Sequence, residues 1–459
     1  MKKIISSILT AAMLLALCLG SFAGCGSKPQ AITFELPDAL DTSRQINITL
    51  YHMLGAELRK IMDQAIADFN EIYPNINIQH TSYGDYDGVK DQVKNELTVG
   101  AQPNLAYCYP DHVAFYNISG AVQPLDVFLN SQYGYSEQEK ADLGDRFFNE
   151  GRVFGDGNTY TMPIMRSTEV LFYNKTFFEA NNLQVPETWE EMEALCRQIR
   201  TIKNDITPLG YDSEANWFIT MCEQYGSGYT SSTGENFLFD NDTNKSFVKT
   251  FNTWYKDKLV TTKALNGNAY TSDLFKSQKV MMCIGSTGGA SYQMASQTNG
   301  VSEFEVGIAP IPQVNPEQPK VISQGPSICI FKDADPQEVL ASWLFAKFLT
   351  TNVNFQARVS MNNGYSPVNQ AVKRHEVYAE FLADTTDIKA QAIAVALQEE
   401  LRGALYFSPA FNGSSVARDQ VGLLMQTCMG STATGTALDD VIAKAFKDAV
   451  GECKYQTNQ

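Results

Sequence analysis

Hydrophobic residues follow two alternating spacings along the chain from residue 46 onward. Residues 46–51 and 76–80 form the compact apolar runs of β-strands, whereas residues 58–73 carry apolar side chains at helical intervals. Further strands are predicted at residues 104–109, 160–164, 169–173, 280–284, 306–309 and 322–331, and further helices at residues 86–99, 125–129, 188 onward and 336–349. This order predicts an α/β fold with a largely parallel sheet.

The first 25 residues have the pattern of an export signal. Lys2 and Lys3 precede an apolar run over residues 4–19, and small residues lead to Cys25. The sequence Phe-Ala-Gly-Cys at residues 22–25 resembles a bacterial lipobox, in which the cysteine is acylated. We therefore expect a signal peptide over residues 1–24, lipidation of Cys25 and a flexible linker over residues 25–45. A transmembrane anchor is the alternative, but the segment is short for a span.

Composition narrows the possible functions. The 459 residues, 44% of them hydrophobic, are enough for two to three domains, and the formal charge of −16 makes a nucleic-acid partner improbable. The four histidines have no metal-ligand spacing, so neither a metal nor another cofactor is expected. The cysteines that remain after Cys25 are odd in number and widely spaced, which gives no disulfide framework. No nucleophile elbow or phosphate-binding loop is present, so we expect no enzymatic activity.

Short turns that combine aromatic, hydroxyl, amide and charged groups follow several predicted strands. In open α/β sheets, ligands bind at the carboxyl ends of strands, and aromatic faces pack on the C–H faces of sugars. These turns begin at Tyr51, Tyr83, Tyr109, Arg166, Ser286 and Gln324. Their joint placement favours a binding cleft for a polar small molecule.

Several sequence blocks resemble the extracellular solute-binding proteins of ABC importers, the family of maltodextrin, multiple-sugar and glycerol-3-phosphate binding proteins. The blocks cover residues 69–76, 120–126, 163–175, 186–191, 308–312, 343–350 and 364–368. The resemblance spans roughly residues 46–450. It implies two α/β lobes of the type II periplasmic-binding-protein fold, joined by hinge crossings near Pro163, Val321 and Gly364. The first lobe would comprise residues 46–163 and 321–363, and the second residues 164–320 and 364–459.

The same resemblance implies a function and a set of ligand-binding residues. The lobes would close on a sugar or oligosaccharide and present it to membrane permease subunits. The protein would be a monomer, tethered by its lipid to the outer face of the bacterial cytoplasmic membrane. The cleft residues carried over are Tyr51, His52, Tyr83, Asp85 and Asp111 from the first lobe, and Ser167, Trp217, Ser286, Gly288, Tyr365 and Arg418 from the opposite wall or hinge.

Trp217 is singled out among the tryptophans because polar residues 212–216 precede it. Trp254 and Trp343 have apolar helical neighbours and are predicted to lie in the core, and Trp189 is predicted to pack at a helix start. A Trp in a polar segment can offer its face to a sugar, so Trp217 is a predicted stacking residue.

Two other ligand or activity classes stay open. A glycerol-3-phosphate or glycerophosphodiester ligand would need a cationic clamp, for which Arg166 and Arg418 are the candidates. A lipid-anchored glycoside hydrolase would need two carboxylates facing each other across the cleft.

Overall fold

The computed structural model describes residues 34–457. The predicted signal peptide, Cys25 and the linker up to residue 33 lie outside the described residues. Within the described part, no helix is both long and apolar enough to cross a membrane.

Strands and helices alternate through most of the described chain. The strands are β1 Ile46–His52, β2 Ile76–Ser82, β3 Leu105–Cys108, β4 Met162–Pro163, β5 Met165–Asn174, β6 Leu209–Tyr211, β7 Val260–Thr261, β8 Met282–Ser286, β9 Gln297–Thr298, β10 Val301–Ser302, β11 Val306–Pro310, β12 Val321–Gln324, β13 Ser327–Ile330, β14 Ser366–Pro367 and β15 Leu405–Tyr406. The α-helices are α1 Ala56–Ile72, α2 Tyr86–Leu97, α3 Pro110–Tyr116, α4 Asp126–Leu129, α5 Glu137–Glu150, α6 Lys175–Ala180, α7 Trp189–Ile202, α8 Glu214–Tyr225, α9 Asp242–Lys256, α10 Thr271–Lys276, α11 Pro336–Thr351, α12 Val353–Asn363, α13 Glu376–Ala383, α14 Ile388–Leu401, α15 Ser414–Met429 and α16 Gly435–Thr457.

The first sheet has the strand order β2-β1-β3-β13-β4. Strand β1 pairs in parallel with β2 and β3, whereas β13 runs antiparallel to β3 and β4. Side chains alternate along β1, and Ile46, Ile48 and Leu50 on its inward face are at most 1% exposed. The alternating hydrophobic pattern of β1 therefore places these three side chains in the hydrophobic core beneath the first sheet.

The second sheet is centred on the long strand β5. The strand order is β15-β12-β5-β8-β6-β7, and β11 and β14 also pair with β5. Leu171 belongs to one hydrophobic core, and Val170 and Phe172 belong to another, so both faces of β5 are covered. Burial on both faces explains why residues 170–173 of this strand form a continuous apolar run.

The sheets are mixed rather than largely parallel, which corrects one prediction. Residues 322–331 were predicted as one strand, but they divide into β12 in the second sheet and β13 in the first. Gly325 between them has φ +143°, and a Cβ there would lie 2.5 Å from the Met165 carbonyl oxygen. Only glycine fits this close approach, so the chain changes sheets at this point. The return strand β13 then runs antiparallel to β3, which makes the first sheet mixed.

The chain passes between the sheets at three places. It leaves the first sheet after Pro163 and returns after Gln324, slightly later than the predicted crossing near Val321. After Asn363 it reaches β14, which pairs with β5. The lobe boundaries given above remain a prediction, and these passages are the connections on which a hinge would depend.

Part of the predicted flexible linker is bound to the body. The backbone nitrogen of Asp41 donates to Gln337 Oε1 at 2.8 Å, and Gln337 Nε2 donates to the Ala39 oxygen at 3.0 Å. Tyr133 Oη donates to the Asp38 oxygen at 2.8 Å. These bonds hold residues 38–41 on the surface, which corrects the predicted flexibility of this part of the linker.

Candidate ligand-binding cleft

Three neighbouring cavities share lining residues, and we call the three together the cleft. Including open solvent, the large cavity has about 1580 Å³, the middle cavity about 610 Å³ and the small cavity about 520 Å³. Tyr109, Gln324 and Arg418 line both the large and the middle cavity. Glu150 and Ser323 line both the middle and the small cavity.

The walls of the cleft come from elements of both sheets. Tyr109 and Asp111 follow the carboxyl end of β3 in the first sheet, and Asp111 lies in the first turn of α3. Gln324 ends β12 in the second sheet, and Arg418 lies on α15. The cleft therefore lies between elements that follow strands of the first sheet and elements that follow strands of the second sheet.

Tyrosine rings line much of the cleft. Tyr109 stacks on Tyr86 with ring centroids 4.1 Å apart, which fixes its orientation. Tyr270 and Tyr292 line the large cavity and are 53% and 69% exposed. Lys263 Nζ lies 3.7 Å from the centroid of the Tyr270 ring. These rings offer flat apolar faces to a ligand, with polar edges beside them.

Several polar atoms in the cleft wall have no hydrogen-bond partner among the described residues. They include Tyr229 Oη and Ser408 Oγ in the middle cavity and Gln293 Oε1 in the large cavity. Tyr229 and Gln293 are only 4% and 5% exposed. An unpaired buried polar group costs about 1–3 kcal/mol, so a ligand that supplies partners would gain affinity at these atoms.

A hydrogen-bonded chain leads from the core to the guanidinium in the cleft. Glu169 Oε1 accepts from Asn216 Nδ2 at 2.7 Å, and Glu169 Oε2 accepts from Tyr211 Oη. Asn216 Oδ1 accepts from Arg418 Nη2. Burial raises the pKa of Glu169 to about 7, although the two hydrogen bonds and the charge of Arg418 act in the opposite direction. For Arg418, burial lowers the pKa, but neighbouring groups led by Asp111 outweigh it and leave the pKa raised.

Arg166, the other candidate cation, has several partners within the protein. Its Nε lies 2.8 Å from Glu150 Oε1. Nη1 donates to the oxygens of Met165 and Pro326, and Nη2 donates to Ser327 Oγ at 2.9 Å. The residue is 8% exposed. Arg166 also lines the small cavity. Its contacts give it a structural role at the first passage between the sheets, and its role as an anion clamp stays a prediction.

Metal-binding chemistry finds no support in the described residues, where no group of three or more His, Cys, Asp or Glu side chains is arranged to hold an ion. The cysteines of the same part of the chain are buried and unpaired.

Comparison with known proteins decides the family. The profile described as "Bacterial extracellular solute-binding protein" matches residues 64–387. The chain belongs to this family of solute-binding proteins. The predicted resemblance is therefore confirmed, and membership of an extracellular family implies export.

Two relatives of this solute-binding protein are named for different ligands. The "Multiple sugar-binding protein" of Streptococcus mutans is 23% identical over 329 residues, which is 67% of this chain and 72% of the relative. The "sn-glycerol-3-phosphate-binding periplasmic protein UgpB" of Escherichia coli strain K12 is 26% identical over 149 residues, which is 32% of this chain and 33% of the relative.

Solved structures support the fold. UgpB from Mycobacterium tuberculosis in complex with glycerophosphocholine matches with a TM-score of 0.71 and 18% identity, over 90% of this chain and 98% of that one. Maltose-bound MalE3 of T. maritima matches with a TM-score of 0.68 and 17% identity, over 88% and 99% of the two chains. The predicted two-lobe α/β fold of this solute-binding protein is thus confirmed.

Four of the predicted site residues line the cleft. Asp111 and Arg418 lie in the middle cavity, Ser286 lies in the large cavity and Ser167 lies in the small cavity. Ser286 Oγ also accepts a hydrogen bond from the nitrogen of Gly288 at 3.1 Å. Contact of these four residues with a ligand remains a prediction.

Three predicted residues of the first lobe have local structural contacts and line none of the three cavities. Tyr51 Oη donates to Glu96 Oε1 at 3.0 Å, and the Tyr51 ring packs against Tyr83 with centroids 4.8 Å apart. Asp85 caps helix α2 by accepting from the nitrogen of Gly88 at 2.8 Å. The first two strand ends therefore contribute less to the cleft than the turn after β3.

His52 faces the interior rather than the cleft. It is fully buried, and its Nε2 lies 2.7 Å from His80 Nδ1. The nitrogen of Leu54 donates to His52 Nδ1 at 3.1 Å. The reason is the two-residue period of β1, which places His52 on the same inward face as Leu50.

Trp217 lies in an aromatic core, contrary to its predicted role as a sugar platform. It is 0% exposed, and ring centroids of Tyr211 and Phe251 lie 5.0 and 4.1 Å away. The polar residues before it belong to a helix start, because Ser213 Oγ accepts from the nitrogen of Asn216 and caps α8. Trp189, Trp254 and Trp343 are buried as predicted.

Gly288 and Tyr365 pack against each other. A Cβ on Gly288 would lie 2.7 Å from the Tyr365 ring, so glycine permits the ring to approach this closely. Neither residue is among those that line the three cavities.

The sequence-based site missed most of the residues that line the cleft. The additional lining residues include Tyr109, Glu169, Asn216, Tyr229, Tyr270, Tyr292, Gln293 and Gln324. Tyr109 and Gln324 belong to turns that the sequence did single out at strand ends. Tyr270 immediately precedes helix α10, and Tyr292 lies in the 3₁₀ turn of residues 287–293. The sequence pattern carried no ligand signal at either residue.

Proposed function

We propose that this protein is the substrate-binding component of an ABC importer that captures a sugar or oligosaccharide in the cleft and delivers it to membrane permease subunits. The observation that carries the proposal is the pairing of tyrosine faces with unpartnered polar atoms, above all Tyr229 Oη and Gln293 Oε1. Saccharides present C–H faces and hydroxyl groups together, so they match both features. Anchoring of the exported protein through the lipid on Cys25 is part of this proposal.

Charge in the cleft favours a neutral ligand. Arg418 is accompanied by the carboxylates of Asp111 and Glu169, and Lys276 Nζ lies 3.8 Å from Asp273 Oδ1. Both cationic side chains that line the large cavity thus have acidic neighbours. The name of the Streptococcus mutans relative and the maltose in the MalE3 structure agree with a saccharide.

A glycerol phosphate ester is the second candidate, because Arg418 offers one guanidinium to the middle cavity. The E. coli relative is named for such a ligand, and the Mycobacterium tuberculosis structure contains glycerophosphocholine. The two guanidiniums of the small cavity, Arg146 and Arg166, are already paired with Glu400 and Glu150. This pairing disfavours a strong phosphate clamp, which would need a second guanidinium beside Arg418.

The cleft assignment is tested with Tyr292→Ala and a matched control, Tyr455→Ala. Both tyrosines are largely exposed, but Tyr292 lines the large cavity and Tyr455 lies on α16 outside the cleft. The panel comprises maltose, maltotriose, acarbose, glycerol-3-phosphate and glycerophosphocholine, measured by thermal shift and calorimetry. We expect a saccharide to bind, and Tyr292→Ala to weaken it by about 1–3 kcal/mol through loss of an aromatic contact.

The control should bind as the wild type does. Equal affinity of both variants for a bound saccharide would remove Tyr292 from the site. Failure of every saccharide, together with binding of a phosphate ester, would replace the sugar by the second candidate.

A further inference from the structure

Three side chains form a hydrogen-bonded chain in the wall of the cleft. Glu169 on β5, Asn216 on α8 and Arg418 on α15 all line the large cavity, and Arg418 also lines the middle cavity. Glu169 and Asn216 are 3% and 2% exposed. The chain of hydrogen bonds therefore brings three separate elements together at the wall where the two cavities meet.

The order of donors and acceptors along this chain is fixed by chemistry. An ionised carboxylate only accepts, so Glu169 Oε1 requires the amide nitrogen of Asn216, which lies 2.7 Å away. The amide oxygen of Asn216 is then left for Arg418 Nη2, which only donates. If the Asn216 amide rotated so that its nitrogen and oxygen exchanged places, its N–H groups would face the N–H groups of the Arg418 guanidinium. Two donors would then face each other without an acceptor. Glu169 itself is held in place by Tyr211 Oη, and Tyr211 is 0% exposed.

We propose that Glu169 is a positioning residue that acts through Asn216 to hold the guanidinium of Arg418 toward a ligand in the cleft. The inference rests on the proposed function, since it assumes that the cleft is the ligand site. The effect of Glu169 on a ligand would then come from the orientation that it gives to Arg418.

Ionisation of Glu169 gives this role a measurable signature. The titratable groups near Glu169 are Tyr211 on β6, Cys283 on β8, Tyr406 on β15 and Arg418 on α15. Burial raises the pKa of Tyr211, Cys283 and Tyr406, so these three groups are neutral at neutral pH and Arg418 carries the charge. The pKa of Glu169 is raised to about 7 by burial. Above this pH the carboxylate is ionised, and its attraction for the Asn216 donor and for Arg418 is strongest.

The test measures affinity as a function of pH for the wild type and for Glu169→Gln. Calorimetric titrations use maltotriose, acarbose and glycerophosphocholine as probes, at about pH 5.5 and about pH 8.5. For a probe that binds, we expect wild-type affinity to be roughly three- to tenfold higher at the alkaline pH, the size of one charge-assisted hydrogen bond or less. Glu169→Gln should bind weakly at both pH values, without the step.

Glu399→Gln is the matched control. Glu399 is 1% exposed, its pKa is raised by burial, and its partner is Arg402, so it is a buried glutamate outside the cleft. This variant should keep the wild-type pH step.

A double variant tests whether Glu169 and Asn216 act through the same chain. Asn216→Leu alone should lose as much affinity as Glu169→Gln alone. The double variant Glu169→Gln/Asn216→Leu should lose no more than the weaker-binding single variant, because both changes break the same chain of hydrogen bonds. Circular dichroism establishes that each variant is folded.

Three results would overturn the inference: a pH step that persists in Glu169→Gln, a wild-type affinity that does not change with pH, or additive losses in the double variant. Crystal structures of the ligand-free wild type and Glu169→Gln decide the case in which no probe binds. We expect the Arg418 guanidinium to leave Asn216 in the variant, and an unchanged Arg418 would overturn the positioning role. Failure of all probes with a displaced Arg418 would instead count against the proposed ligand classes alone.

Discussion

Glu150 and Arg166 form a buried ion pair, with Oε1 and Nε 2.8 Å apart, at the point where the chain first passes between the two sheets. Glu150 ends helix α5, and Arg166 is the second residue of β5. Glu150 also lines the middle and small cavities. The pair thus joins the wall of the cleft to the strand on which the second sheet is built.

We predict that Arg166→Gln destabilises the fold, whereas Arg418→Gln mainly weakens ligand binding. Removing one partner of a buried ion pair leaves an uncompensated charge and costs about 3–5 kcal/mol. Arg418 instead offers its guanidinium to a cavity, so its loss should lower affinity by about 1–3 kcal/mol. Urea unfolding and calorimetry measure the two effects. Recovery of stability in Glu150→Gln/Arg166→Gln would support the pair, and a stable Arg166→Gln with lost binding would contradict it.

Trp217→Ala should affect stability far more than binding. The ring packs against Tyr211 and Phe251 in the core, and truncating a buried Trp costs about 3–5 kcal/mol. Unfolding in urea measures this cost. Tyr270→Ala, at an exposed tyrosine of the cleft, is the matched comparison. It should reduce saccharide affinity and leave the free energy of unfolding nearly unchanged. A Trp217→Ala protein with unchanged stability and reduced saccharide affinity would restore the original sequence-based interpretation.

His52 should make the protein less stable at acidic pH. Burial lowers its pKa from 6.5 to about 4, with the neighbouring charges of His80 and Arg59 acting in the same direction. The unfolded chain takes up the proton near pH 6.5, whereas the folded chain does so only near pH 4, so stability falls as pH drops through this window. The loss attributable to His52 is about 3 kcal/mol.

His52→Gln removes this titration and should flatten the pH dependence of the free energy of unfolding between pH 6.5 and 4. His375→Gln is the control, since His375 lies outside the chain of hydrogen bonds formed by His52 and His80. An equal slope in the wild type and His52→Gln would disprove the assignment.

The sequence predicted the fold well because hydrophobic periods and capping residues act locally. Thr188 and Glu191 illustrate this: each side chain accepts from the backbone nitrogen of the other, at 3.1 and 3.2 Å, and the helix begins at Trp189 as expected. The division of residues 322–331 could not be predicted in the same way. It depends on the contact of Gly325 with Met165, which is distant in sequence.

The cleft was harder to predict because polar residues in turns also cap helices or lie in the core, and the sequence alone does not distinguish these roles from ligand binding. The polar residues before Trp217 cap a helix, and the turn residue Asp85 does the same for α2. His52 follows the inward face of its strand. Conversely, Glu169 lies on β5 just before its apolar run and lines the large cavity beside Asn216 and Arg418, which come from two later helices.

Lipid anchoring is tested with Cys25→Ala. If Cys25 is acylated, this variant should move from the membrane fraction to the soluble exported fraction when the full-length chain is expressed in a bacterial host. Cys18→Ala, within the predicted signal peptide, is the control and should leave the protein in the membrane fraction. Membrane retention of Cys25→Ala would count against the lipobox.

The most direct test of saccharide capture is calorimetric titration of the wild-type protein with the sugars and glycerol phosphates of the panel, at low and at moderate salt. A neutral sugar gains hydrogen bonds but no net charge interaction from Arg418, so its affinity should change little with ionic strength. We predict that at least one saccharide binds with this salt-insensitive behaviour. Binding confined to glycerol phosphate or glycerophosphocholine, with affinity that falls steeply as salt rises, would contradict it.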